Sequence, residues 1–189
     1  MEAFWVSITT ISVAEIGDRT QLLSLVLAAR FRRPWPIIAG ILCATLANHG
    51  VAGAVGYWFG SLLKPRVLEI VVGVSLLAMA LWTLKPDKLE ENPAGSSAMG
   101  AFIATLTSFF IAEIGDKTQI ATLALAAAYP HLLAVVTGTT AGMLLANVPV
   151  VFLGKAFADR LPLKAIHYGA ALLFALLGAV FLARALWMS

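Results

Sequence analysis

Eight residues, A-E-I-G-D-R-T-Q from Ala14 to Gln21, return as A-E-I-G-D-K-T-Q from Ala112 to Gln119, and both copies lie inside long apolar stretches. Glu15, Asp18, Glu113 and Asp116 thus stand where an ionised carboxylate is costly, by roughly 2.5–3.5 kcal/mol on membrane-insertion scales. A site that gathers four acids away from water favours a cation. Their oxygens are hard ligands, suited to Ca²⁺, Mn²⁺ or Mg²⁺. Asn48 and Asn147, each closing an L-A-N triplet, either add carbonyl oxygens or form interhelical hydrogen bonds. Gln21, Gln119, Thr20 and Thr118 are secondary candidate ligands. On a regular helix Gln21 points away from Glu15, so its participation requires local unwinding. Gly17 and Gly115, set between the acids, permit such unwinding or a close approach of backbones.

If the helices are continuous, Glu15 and Asp18 share one face, as do Glu113 and Asp116. Counted from Phe4, Glu15 lies roughly 16 Å along the axis, near the middle of a hydrocarbon core about 30 Å thick. The two pairs are expected to meet across a pseudo-twofold axis as one four-carboxylate site. Four clustered acids cannot all stay ionised without a cation, so protons and metal compete for the same oxygens. That competition is a physical basis for proton-coupled exchange. Arg19 and Lys117 each follow an Asp. Each either neutralises the acids when no cation is bound or forms a structural pair that locks its helix. His49 follows Asn48, whereas Val148 follows Asn147, so this histidine reads as a local hydrogen-bond partner, with a proton relay as the alternative. His131 and His167 fall near helix ends and read as structural.

The elements that position these residues are membrane helices. The chain has 189 residues, of which 60% are hydrophobic, with a mean hydropathy of +0.90. A window of about 20 apolar residues yields six spans: Phe4–Ala29, Trp35–Leu63, Val67–Leu84, Met99–Ala128, His131–Leu153 and Ala165–Trp187. The polar connection 85–98 reads as a linker between a first three-helix repeat, 1–84, and a second, 99–189. The fold class is therefore all-α, integral to the membrane. The repeat is wider than the octapeptide: 7–29 aligns with 105–127, and the L-A-N triplets match after a one-residue slip. Three spans per half make the second half enter from the opposite side, an inverted-topology repeat of the kind found in secondary transporters.

Basic residues are concentrated in the first, third and fifth connections: Arg30, Arg32 and Arg33; Lys85 and Lys88; Lys155, Arg160 and Lys164. The opposite side carries Lys64, Arg66 and Arg184. The positive-inside rule then puts both termini outside. No signal peptide is read at the N-terminus, whose helix is taken as a retained span. Trp5, Trp35, Trp82 and Trp187 lie near span ends, as an aromatic belt requires. The single cysteine, Cys43, reads as a small packing residue. No basic stripe points to nucleic acid, and no phosphate-binding loop points to ATP-driven pumping. Paired acids on membrane helices also invite comparison with an intramembrane aspartyl protease. A Tyr-Asp partner on another helix is absent, however, and Glu stands where a glycine belongs. A passive cation channel would use the same acids without inverted symmetry.

With E-x-G-D-(K/R)-T present twice, at Glu15–Thr20 and Glu113–Thr118, the chain resembles the Gdt-type cation exchanger family. That family includes transmembrane protein 165 relatives and bacterial MneA-type manganese exporters. The resemblance covers essentially the whole chain. It implies Ca²⁺ or Mn²⁺ transport against protons, with no resident cofactor. The compact length looks like a bacterial member, which implies manganese export across the cytoplasmic (inner) membrane. Partners implied are the metal ion and lipid, with oligomeric state open.

Overall fold

The computed structural model describes residues 1–84, 97–153 and 163–187. Among them the chain forms eight helices and no strand. They are α1 (Glu2–Glu15), α2 (Arg19–Phe31), α3 (Pro34–Leu62), α4 (Pro65–Thr83), α5 (Ala98–Glu113), α6 (Lys117–Ala128), α7 (Leu132–Leu153) and α8 (Leu163–Trp187). Of these, α3 and α7 are each long and apolar enough to cross a membrane, and α5 with α6 makes a third such segment bent by 69°. Pro34 opens α3 at a position where a missing N–H costs nothing.

The two spans expected to be continuous, Phe4–Ala29 and Met99–Ala128, are each broken at the octapeptide. Both breaks have the geometry of a type II turn. Ile16 and Ile114 are extended, at φ −66° and −62°. Gly17 and Gly115 follow at φ +81° and +73°. The Asp18 N–H then donates to the Glu15 carbonyl and the Asp116 N–H to the Glu113 carbonyl, both at 3.1 Å. The third position of such a turn needs a positive φ, which glycine alone adopts without penalty. Asp18 and Asp116 then become the N-caps of α2 and α6, a position that favours aspartate. Glu15 and Asp18 are therefore not neighbours on one helical face. The acid pairs flank a turn, because glycine and a capping residue in succession end one helix and start another.

The halves interleave. α1 packs chiefly on α7, α3 on α5 and α6, and α4 on α8. Small residues set the separations: a Cβ on Gly56 would stand 2.1 Å from the Leu123 carbonyl oxygen, and one on Gly142 2.8 Å from that of Ile8. The buried core includes Ile11, Ile37, Ile41, Leu76, Phe109, Met143 and Phe174.

Cys43 is exposed rather than packed inside. It lies off the α3 face that buries Gly40, Ile41, Ala44 and Asn48. Trp5, Trp35 and Trp187 are exposed near helix ends. Lys85, Lys88, Lys155, Arg160 and residues 85–96 of the linker lie outside the described residues, as do the side chains of Trp82, Lys164 and His167.

Candidate cation site

The two broken helices bring their acids together through partners exchanged between halves. Lys117, at the start of α6, forms an ion pair with Asp18, at the start of α2. Reciprocally, Arg19 Nη2 lies 3.0 Å from Asp116 Oδ1 and also donates to the Ala112 carbonyl. Glu15, Asp18, Glu113 and Asp116 are all buried. The residue after each motif Asp thus reaches the Asp of the other copy, so the turns face one another and share their charges.

The remaining motif residues brace each turn. Thr20 donates its hydroxyl to the Glu15 carboxylate. Thr118 donates to Glu113 Oε2 at 2.9 Å and lies 3.1 Å from Asp116 Oδ2. The side-chain carbonyls of Gln21 and Gln119 accept the N–H groups of Gly17 and Gly115, both at 2.8 Å. A backbone donor freed by the helix break is satisfied in this way. Gln21 then donates to the Ala146 carbonyl at 3.0 Å. Gln119 Nε2 lies 3.5 Å from Asn48 Oδ1.

The L-A-N helices also serve the opposite half. Asn48 donates to the Phe110 carbonyl on α5 at 3.1 Å. Asn147 accepts from Ser24 on α2 at 2.7 Å and donates to the Met143 carbonyl at 3.0 Å. In this arrangement both asparagines and both glutamines act as interhelical or turn-bracing groups. His49 does not take the local hydrogen-bond role expected of it: it is fully buried, neither ring nitrogen has a hydrogen-bond partner, and Nε2 stands 3.8 Å from Glu113 Oε2. Ser24 was not among the sequence candidates. Its aligned partner Thr122 also carries a hydroxyl, a signal that the repeat alignment contained.

Among the described residues, no three Asp, Glu, His or Cys side chains converge closely enough to hold one ion in this arrangement. The acids are met by two cations and two threonines instead. Four carboxylates against one Arg and one Lys leave a formal excess of two negative charges. Two buried carboxylate oxygens, Glu15 Oε2 and Glu113 Oε1, have no hydrogen-bond partner. Such oxygens are costly unless a proton or a cation reaches them.

Buried acids at glycine breaks in apolar helices define a cation-handling membrane protein. Comparison with known proteins gives the family. The sequence model of the divalent cation/proton antiporter GDT1 matches residues 3–91 and 101–189. A Vibrio cholerae protein named as a candidate manganese exporter is 53% identical over 94% of this chain and 88% of its own length. A GDT1-like protein of Synechocystis is 28% identical, over 95% of this chain and 96% of its own. GDT1-like protein 4 of Arabidopsis thaliana is 23% identical, over 94% of each. No solved structure matches the chain significantly. The chain belongs to the GDT1 family. It is accordingly a membrane transporter of divalent cations and not an enzyme, which removes the protease alternative.

Proposed function

We propose that the chain is a proton-coupled antiporter that exports Mn²⁺ from the bacterial cytoplasm. Its substrate site is formed jointly by Glu15, Asp18, Glu113 and Asp116. The single observation that carries this reading is the reciprocal pairing of Asp18 with Lys117 and of Asp116 with Arg19. It makes the two motif copies one electrostatic unit whose excess of two negative charges suits one divalent ion or two protons. The unpartnered oxygens of Glu15 and Glu113 supply the remaining hard-oxygen ligands. The amide and hydroxyl groups of Asn48, Asn147, Gln21, Gln119, Thr20 and Thr118 surround them. They complete the coordination shell when the turns rearrange. The 53% identity to the Vibrio cholerae protein favours Mn²⁺ over Ca²⁺.

In this reading the chain crosses the cytoplasmic membrane six times, with both termini outside. Residues 1–84 and 99–189 form inverted halves joined by the cytoplasmic linker 85–98. The two separately matched stretches and the matching turns support the repeat. Exchange of metal for protons separates this reading from a passive channel. The test is reconstitution into liposomes with Mn²⁺, Ca²⁺ or Mg²⁺ and an imposed pH gradient. Wild-type protein should accumulate Mn²⁺ while dissipating the gradient, and Glu113→Gln should do neither. Metal uptake that leaves the gradient intact, or normal transport by the variant, would overturn it.

A further inference from the structure

Among the described residues Lys117 is the only buried lysine or arginine. Its side chain is 2% exposed and that of its partner Asp18 is not exposed at all. The reciprocal partner, Arg19, differs: its side chain is 31% exposed. Its guanidinium is held by the Ala112 carbonyl and by Asp116. Equivalent positions of the repeat therefore carry cations in unlike settings.

We propose that Lys117 is a built-in counter-cation. Its ammonium occupies Asp18 when no substrate cation is present and must be displaced from that carboxylate before the substrate binds. The inference rests on the reading of Asp18 as a substrate ligand, and it adds the identity of the competitor.

The chemistry distinguishes the two basic residues. An ammonium is a compact point charge on a flexible four-carbon stem, with no geometric demand on its acceptor. A guanidinium is a rigid fork that binds two acceptors in fixed directions. Lysine can leave a carboxylate by rotating its stem, and a small hard cation can take its place on the same oxygens. Arg19, anchored to a backbone carbonyl and partly solvated, is suited to remain where it is while Asp116 changes partner. Lys117 also removes the difficulty of returning without cargo. Four buried acids at the crossing of the halves would repel each other, and the tethered charge neutralises one of them, so that with Arg19 in place two protons suffice to compensate the rest. Displacement scales the apparent affinity by the fraction of time that Lys117 leaves the site free. A weaker site releases its cargo, which a transporter requires and a storage site does not.

The prediction has a sign that a structural role cannot mimic. Removing a merely structural ion pair loosens the site and weakens binding. Removing a competitor strengthens it. The test is equilibrium binding of Mn²⁺ to purified full-length protein, reading free Mn²⁺ by electron paramagnetic resonance. Lys117→Gln should bind Mn²⁺ about tenfold more tightly than wild type, while its net Mn²⁺ export falls. Lys117→Arg, which keeps the charge but grips the carboxylate with a rigid fork, should bind no more tightly than wild type. Arg19→Gln should not tighten binding. Lys117→Gln binding with unchanged or reduced affinity would overturn the inference. If that variant cannot be purified without metal, the inference requires that Mn²⁺ in the preparation restore it; failure with Mn²⁺ as well would overturn it. Asp18→Asn separates the two readings. If it binds Mn²⁺ normally, the assignment of Asp18 as a ligand fails. If it loses binding while Lys117→Gln shows no tightening, only the role of Lys117 fails.

Discussion

The two motif turns share a backbone and differ in their surroundings. In both, isoleucine is extended, glycine is left-handed, aspartate caps the next helix and glutamine holds the glycine N–H. Yet Gly17 is buried, whereas Gly115 is exposed, and a Cβ on Gly115 would meet nothing within 4 Å. The first copy sends out a half-exposed arginine and the second a sealed lysine. Among the described residues, only Glu113 of the four acids has a histidine beside it. Local sequence dictates the turn, and the opposite half dictates the environment. One repeated peptide thus takes up two unlike environments.

The largest effect that would sharpen this contrast is on the ion pairs. Asp18→Ala leaves Lys117 as a buried charge without its carboxylate and should cost about 3–5 kcal/mol. Arg19→Ala, which leaves the buried Asp116 its Thr118 donors, should cost clearly less, about 1–3 kcal/mol. Denaturation in detergent, read by loss of helical circular dichroism, measures both. Equal costs would break the contrast. The glutamines come next. Gln21→Ala removes the buried hydrogen bond to the Gly17 N–H and should cost about 1–3 kcal/mol, and Gln119→Ala, acting at the exposed turn, clearly less. The same unfolding assay ranks them. Gly115→Ala should cost about 1–2 kcal/mol, the strain of a left-handed conformation alone, because the added methyl meets open space. A larger loss would mean that the exposed turn is as confined as the buried one. His49→Val, which copies Val148, should be smallest. Both ring nitrogens lack a hydrogen-bond partner, so stability should change by less than about 1 kcal/mol, with Mn²⁺ transport retained in liposomes.

Much of this architecture is legible in the chain. The repeated acids and the all-helical class follow from cost and spacing, whereas the role of the two basic residues stays open between neutralising the acids and locking a helix. The continuity of the first and fourth segments does not survive, although a local signal was present: glycine followed by a helix-capping aspartate, twice. A hydropathy window averages over that turn because isoleucine and glycine do not lower it. Gln21 and Gln119 read as secondary ligands because their distance from the glutamates along a helix hid their proximity to the glycine N–H groups. The exchange of partners between halves was beyond reach of spacing. Whether Lys117 meets the aspartate of its own copy or of the other depends on how α2 and α6 approach, which long-range packing decides.

The central claim is that two motif copies build a single divalent-cation site. The most direct measurement is the number of Mn²⁺ ions bound per chain, by equilibrium titration of wild type, Asp18→Asn and Asp116→Asn. One ion bound by wild type, and loss of that ion in either variant, is the predicted result. Two ions in wild type, with one surviving in each variant, would show two independent sites and contradict the account.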